Sequence, residues 1–110
     1  MKVIKAILLT LLLISCMIKV ADLRLTSPFV GESIDGGCRI HFSVINLGQK
    51  TARDAYIHLE MRDVVENVLL NEYEVYLGDI KAQETKQYSL EIADVEWGAD
   101  IGFKETFTWR

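Results

Sequence analysis

Between residues 37 and 61 the chain reads as two runs with an apolar residue at every second position, joined by a polar turn. A period of two is the signature of a strand with one buried face, because a helix brings together residues three and four apart. In the first run Cys38, Ile40, Phe42 and Val44 share one side, and Arg39, His41 and Ser43 share the other. In the second, Ala55, Ile57, Leu59 and Met61 oppose Tyr56, His58, Glu60 and Arg62. Asn46, Gly48 and the small or charged residues up to Arg53 supply the turn chemistry between them.

The same period recurs along the chain. Ala21, Leu23 and Leu25 oppose Val20, Asp22 and Arg24, and Pro28 ends that strand because it cannot donate to a ladder. Residues 29–37, with Gly31, Gly36 and Gly37, read as a loop. The segment 64–77 fits two patterns. Asp63 and Glu66 are spaced as a helical capping box, with Val65, Val68, Leu69, Tyr73, Tyr76 and Leu77 roughly on one helical stripe. The strand alternative uses Asn67 as turn residue, a short strand at 68–70, and Tyr73, Val75 and Leu77 as inward positions. It is preferred because both flanks are strands and Tyr and Val suit pleated surfaces. Residues 77–85 read as a polar corner, 86–92 as a strand with Tyr88, Leu90 and Ile92 inward, and 94–102 as a loop. In the last strand, 103–109, Phe103, Phe107 and Trp109 share a face that Glu105 interrupts, which predicts a bulge or a later start. About seven short strands at spacings of about ten residues predict an all-β chain folded as an antiparallel β-sandwich. Its expected core is Ile40, Phe42, Val44, Ile57, Leu59, Tyr88, Leu90, Phe107 and Trp109.

Ahead of this domain, residues 1–18 have a different character. Lys2 and Lys5 precede an uncharged run from residue 6 to 18, too short for a comfortable span of roughly 20 apolar residues and suited to a signal sequence. Leu13-Ile14-Ser15-Cys16 resembles the lipobox of prokaryotic lipoproteins, which implies lipidation of Cys16. An uncleaved anchor with Lys5 snorkelling, or ordinary cleaved secretion, are the competing routes. Each predicts a β-domain over 20–110 held outside the cytoplasm, and the first two tether it to a prokaryotic cell envelope or surface through the N-terminal lipid or anchor.

Charge and cysteine usage exclude several functions. The chain has 12 Lys and Arg against 16 Asp and Glu, a net charge of −4, with the basic residues scattered singly. That argues against nucleic acid, whose phosphates need clustered cations. Cys38, on an apolar strand face with no second thiol in reach, reads as a buried small hydrophobe. Serine is absent from any nucleophile-elbow pattern, and no glycine-rich loop opens a helix, so no enzyme is expected and no cofactor is implied.

Phe42-Ser-Val-Ile-Asn46-x-Gly48, then Ala55-Tyr-Ile-x-Leu59, then Leu77-Gly78-Asp79-Ile80 with Glu84-Thr85 resemble the CARDB and FxLYD group of immunoglobulin-like modules. The likeness spans residues 38–92, about half of the chain, and is carried mostly by turn residues; Ala82 and Gln83 stand where those modules usually have proline and glycine. It implies an immunoglobulin-like sandwich with adhesive, cell-surface-binding or accessory structural roles. In that fold His41 and His58 lie on opposite outer faces, so neither a shared metal nor a proton relay is expected. Asp79 and Glu84 share a corner and are expected to serve its turn hydrogen bonds.

The remaining candidate is the loop Asp94-Val-Glu96-Trp97-Gly98-Ala-Asp100. Trp97 among acids is read first as a cap on the end of the core with the acids solvating the rim; the alternative is that it meets a partner segment or a sugar ring, or that the carboxylates hold calcium. The expectation is a non-catalytic, membrane-tethered interaction or accessory module, its partner another envelope protein. The alternative is a small-ligand or carbohydrate-binding protein using the Trp97 loop.

Overall fold

The computed structural model describes residues 19–110; the signal or anchor read at 1–18, with Cys16, lies outside the described residues. Seven strands follow in order: β1 Leu23–Leu25, β2 Val30–Ile34, β3 Gly37–Asn46, β4 Ala52–Asp63, β5 Val68–Ile80, β6 Thr85–Ala93 and β7 Ile101–Thr108. They form two antiparallel sheets. In the first, β3 pairs along its whole length with β6 and on its other edge with β2 and β1 in succession. In the second, β4 lies between β5 and β7. The connections β3–β4, β5–β6 and β6–β7 cross from one sheet to the other, and β4–β5 is a hairpin.

The two sheets share one core, the arrangement of a β-sandwich. Cys38, Ile40, Phe42 and Val44 from β3 meet Ala52, Ala55, Ile57, Leu59 and Met61 from β4, all buried, so the alternation that defined both runs is the packing pattern itself. Leu77 and Ile80 of β5 and Ile92 of β6 complete the centre. The Tyr88 hydroxyl donates to the Leu77 carbonyl at 2.8 Å, joining the edges of the two sheets. Burial, with Glu84 nearby, pushes the Tyr88 phenol up from its ordinary value.

The strand count agrees with the expectation, but two segments differ from it. Residues 30–34, expected to be loop, form β2 against β3. Val30 and Glu32 point outward there while Gly31 faces in, so the strand has no apolar stripe to announce it. Conversely, 68–70 and 73–77 are not separate strands; β5 runs unbroken from Val68 to Ile80. The helical alternative for 64–77 is excluded. Asp63 accepts from the backbone N–H of Val65 and Glu66, which is cap chemistry, but Asn67 at φ 55° turns the chain back into a strand. The corner also begins later than expected, after Ile80, which is fully buried. Gly78, at φ 76°, lets β5 bend into that corner.

At the C-terminal end β7 begins at Ile101 and pairs with β4 in one unshifted register from Tyr56↔Thr108 to Asp63↔Ile101. No bulge accompanies Glu105. It sits opposite the fully buried Leu59, on the inner side of an edge strand, where its carboxylate reaches solvent. Trp109, expected in the core, lies past the strand end and is 39 % exposed. Small residues at the start of β4, Ala52 and Ala55, occupy the core instead; an irregularity at Asp54 (φ 44°) turns both inward.

Candidate functional site

β1 and β2 lie on the edge of their sheet that faces β7 across the sandwich, and Pro28 breaks that edge between them. The two sheet edges do not close on each other. A groove of about 580 Å³ runs between them, walled by Leu25, Pro28 and Phe29 on one side and by Ile101 and Phe103 on the other. Trp97 and Glu105 also line it, with Thr26, Ser27 and Gly102 between the apolar side chains. Leu25, Phe29, Trp97, Ile101 and Phe103 are all half-buried: they pack on the core below and face the groove above.

An aromatic row positions this wall. Tyr88 stacks on Phe42 at 5.5 Å, Phe42 meets Phe29 edge-on at 5.5 Å, Phe29 tilts against Phe103 at 5.2 Å, and Trp97 lies nearly parallel to Phe103 at 6.3 Å. Three strands and two connecting segments are linked by these contacts, each of ordinary aromatic pair geometry. Trp97 lies over Gly31, where a Cβ would fall 2.0 Å from the indole ring. The absence of a side chain in β2 is therefore what admits the indole. Of the other candidates in this loop, Asp94, Glu96 and Asp100 are all exposed, and Asp94 turns the chain at φ 62°. They do not converge as a calcium site.

Among the described residues, His58, Glu60 and Glu72 do bring three ligating atoms within 4.8 Å, on the outer face of the β4–β5 sheet. The sequence reading missed this group because Glu72 meets Glu60 only through the cross-strand register. His58 Nε2 lies 3.7 Å from Glu72 Oε1, while Arg62 donates to Glu60 at 3.2 and 3.3 Å and already neutralises it. The group behaves as a surface ion-pair cluster. His41 is on the other sheet, as expected, and bonds Glu32 at 3.1 Å. The His41 bond, with Arg39 adjacent, holds the Glu32 carboxyl below the usual carboxylate range. Its small, exposed contribution to stability is thus present above the ordinary carboxylate pKa and lost on acidification through the lowered value. Arg39 also pairs with Glu91 across the outer face of β3 and β6.

Glu84 accepts from Lys81 N–H at 3.0 Å, a turn hydrogen bond of the corner, whereas Asp79 is still in β5 and accepts from Asp54 N–H at 2.9 Å across to β4. Cys38 is 1 % exposed and burial pushes its thiol up. Maleimide labelling of Cys38 should therefore be slow in buffer and reach the rate of a free thiol only in denaturing urea; fast labelling of the native chain would mean the β3–β6 ladder opens readily. Comparison with protein-family models, with curated proteins and with solved structures found no match to this chain.

Proposed function

We propose that this chain is a non-catalytic interaction or structural accessory module of the immunoglobulin-like class, held outside the cytoplasm by its N-terminal segment. The observation that supports it is the groove: apolar walls, a rigid aromatic row beneath, and a lining without histidine, cysteine or lysine to activate Thr26 or Ser27. Such a surface is suited to binding and offers little to bond-making chemistry. Two details favour the resemblance to CARDB and FxLYD modules. Asn46 and Gly48 are bonded to each other in the first turn, with Gly48 N–H donating to Asn46 Oδ1 at 2.9 Å. Gln83 adopts φ 65°, a glycine-favouring conformation, where those modules carry glycine.

The placement of Trp97 in the groove wall keeps the carbohydrate or small-ligand alternative as a second reading, since an indole face can stack on a sugar ring. Cells expressing the full chain decide the tether. The chain is expected in the membrane fraction, accessible to external protease, with Cys16 as its lipidated first residue by mass spectrometry. Recovery from the cytosol with its first residues intact would sink the proposal. Crosslinking in the same cells is expected to recover an envelope protein, whereas glycan-array signals that vanish in Trp97→Ala would favour the second reading.

A further inference from the structure

We propose that β7 and the groove beside it take up an extended segment of another protein, which adds as a further strand to the β5–β4–β7 sheet and carries a lysine or arginine opposite Glu105. The inference rests on the interaction-module reading and specifies its binding mode. Among the described residues β7 pairs only with β4, so alternate residues of its eight turn their backbone N–H and C=O groups to a free edge, where only Ile101 N–H is engaged, by the Gly98 carbonyl. Its register is unbroken, which makes it a regular template; the edge strand β6 is equally regular, but of the two only β7 borders the groove. The opposing edge is a poor one, since the chain bends at Thr26 and Ser27 and Pro28 has no N–H. The outer edge β5 is likewise irregular, with register shifts against β4 at both ends and a left-handed Gly78.

A strand added to β7 would continue its sheet over the groove, placing every second side chain against Leu25, Phe29, Trp97, Ile101 and Phe103. Main-chain bonds would hold it and the apolar walls would select alternating sequences. Glu105 adds the charge requirement. Its carboxylate points to the inner side at the groove margin, where natural edge strands use inward charges to block indiscriminate pairing. A second copy of this chain would bring a like charge into that region and is itself acidic, at net −4, whereas a basic side chain would be paired. A heterologous, basic-bearing strand is the occupant that fits.

The test titrates the full chain, in mild detergent, with synthetic peptides of about ten alternating valines and threonines, enough to span β7. The peptides differ only in having lysine or glutamate at one valine position. The lysine peptide is expected to bind about fivefold more tightly than the glutamate peptide, to protect β7 amides from hydrogen exchange, and to lose that preference to the glutamate peptide in Glu105→Lys. Because Glu105 is exposed, that variant should keep the native circular-dichroism spectrum. No protection of β7 at millimolar peptide, or an order of binding indifferent to the charge at position 105, would overturn strand addition. Self-association that protects β7 would overturn the heterologous occupant in favour of a second copy. If an envelope partner is crosslinked in cells while the peptides fail, the binding mode falls and the module reading stands; a cytosolic chain would remove the module reading whatever the peptides do.

Discussion

Asn46→Leu should destabilise the domain by about 3–5 kcal/mol, the sum expected when two fully buried and two partly buried backbone groups lose their partners. Asn46 is fully buried and continues the inward face of β3 past Val44, where an apolar residue would ordinarily stand. Its amide is saturated. Oδ1 accepts from Asp22 N–H at 3.1 Å and Gly48 N–H at 2.9 Å, while Nδ2 donates to the Lys50 carbonyl at 2.8 Å and the Ile80 carbonyl at 3.0 Å. One side chain thereby ties the approach to β1, the β3–β4 crossover and the end of β5. Leucine matches the volume but satisfies none of the four groups. Urea unfolding checks this: the midpoint should fall with the slope unchanged. A loss below about 1 kcal/mol would mean that water replaces the amide. Asn46→Asp keeps the two acceptor contacts but sets a carboxylate against two carbonyls. That variant should be unstable at neutral pH and recover as pH falls, because only the protonated carboxyl can donate to Ile80.

Gly31→Ala has the second largest expected effect, about 1–3 kcal/mol, as an overpacking substitution. The added Cβ would lie 2.0–2.3 Å from three atoms of the Trp97 ring, which cannot bend away and is already set against Phe103. Either β2 leaves β3 or the indole leaves the groove wall. In a Trp109→Phe background the fluorescence of Trp97 should shift to the red as it gains solvent. A double-mutant cycle gives the sharper test. Once Trp97 is replaced by alanine, Gly31→Ala should become nearly neutral, a coupling of about 1 kcal/mol or more. Additive effects would show that Gly31 serves β2 for another reason. Trp97→Ala alone separates the two readings of its loop: loss of folding marks a core cap, and retained folding with loss of a bound partner marks a binding residue.

Much of this architecture is legible in the residues. The inward positions of β3, β4 and β6 follow from alternation alone, because each has one face more shielded than the other, fully so in β3 and β4 and partly in β6, and the period shows the difference. β2 is hidden for the opposite reason: Gly31 contributes no side chain and Val30 points outward, so the pattern that marks a strand is missing where the Trp97 indole fills the space. Glu105 misled in the same way. Read along the strand, a charge among Phe103 and Phe107 signals a register fault; in the folded chain it occupies an inner position that the open edge leaves wet.

The candidate site divides along the same line. Trp97 is conspicuous as a tryptophan among acids, and the acids prove to be rim residues, but its neighbours Leu25, Phe29 and Phe103 come from three other places in the chain. Nothing in local spacing announces that they meet. Alternation and turn chemistry, which depend on residues close in sequence, determined that this protein is built from antiparallel strands with a shielded face. Which sheet edges face each other, the groove left between them, and the bonds of Asn46 to Asp22 and Ile80 were decided by the tertiary structure, because each depends on groups twenty or more residues apart that only the packing of two sheets brings within reach.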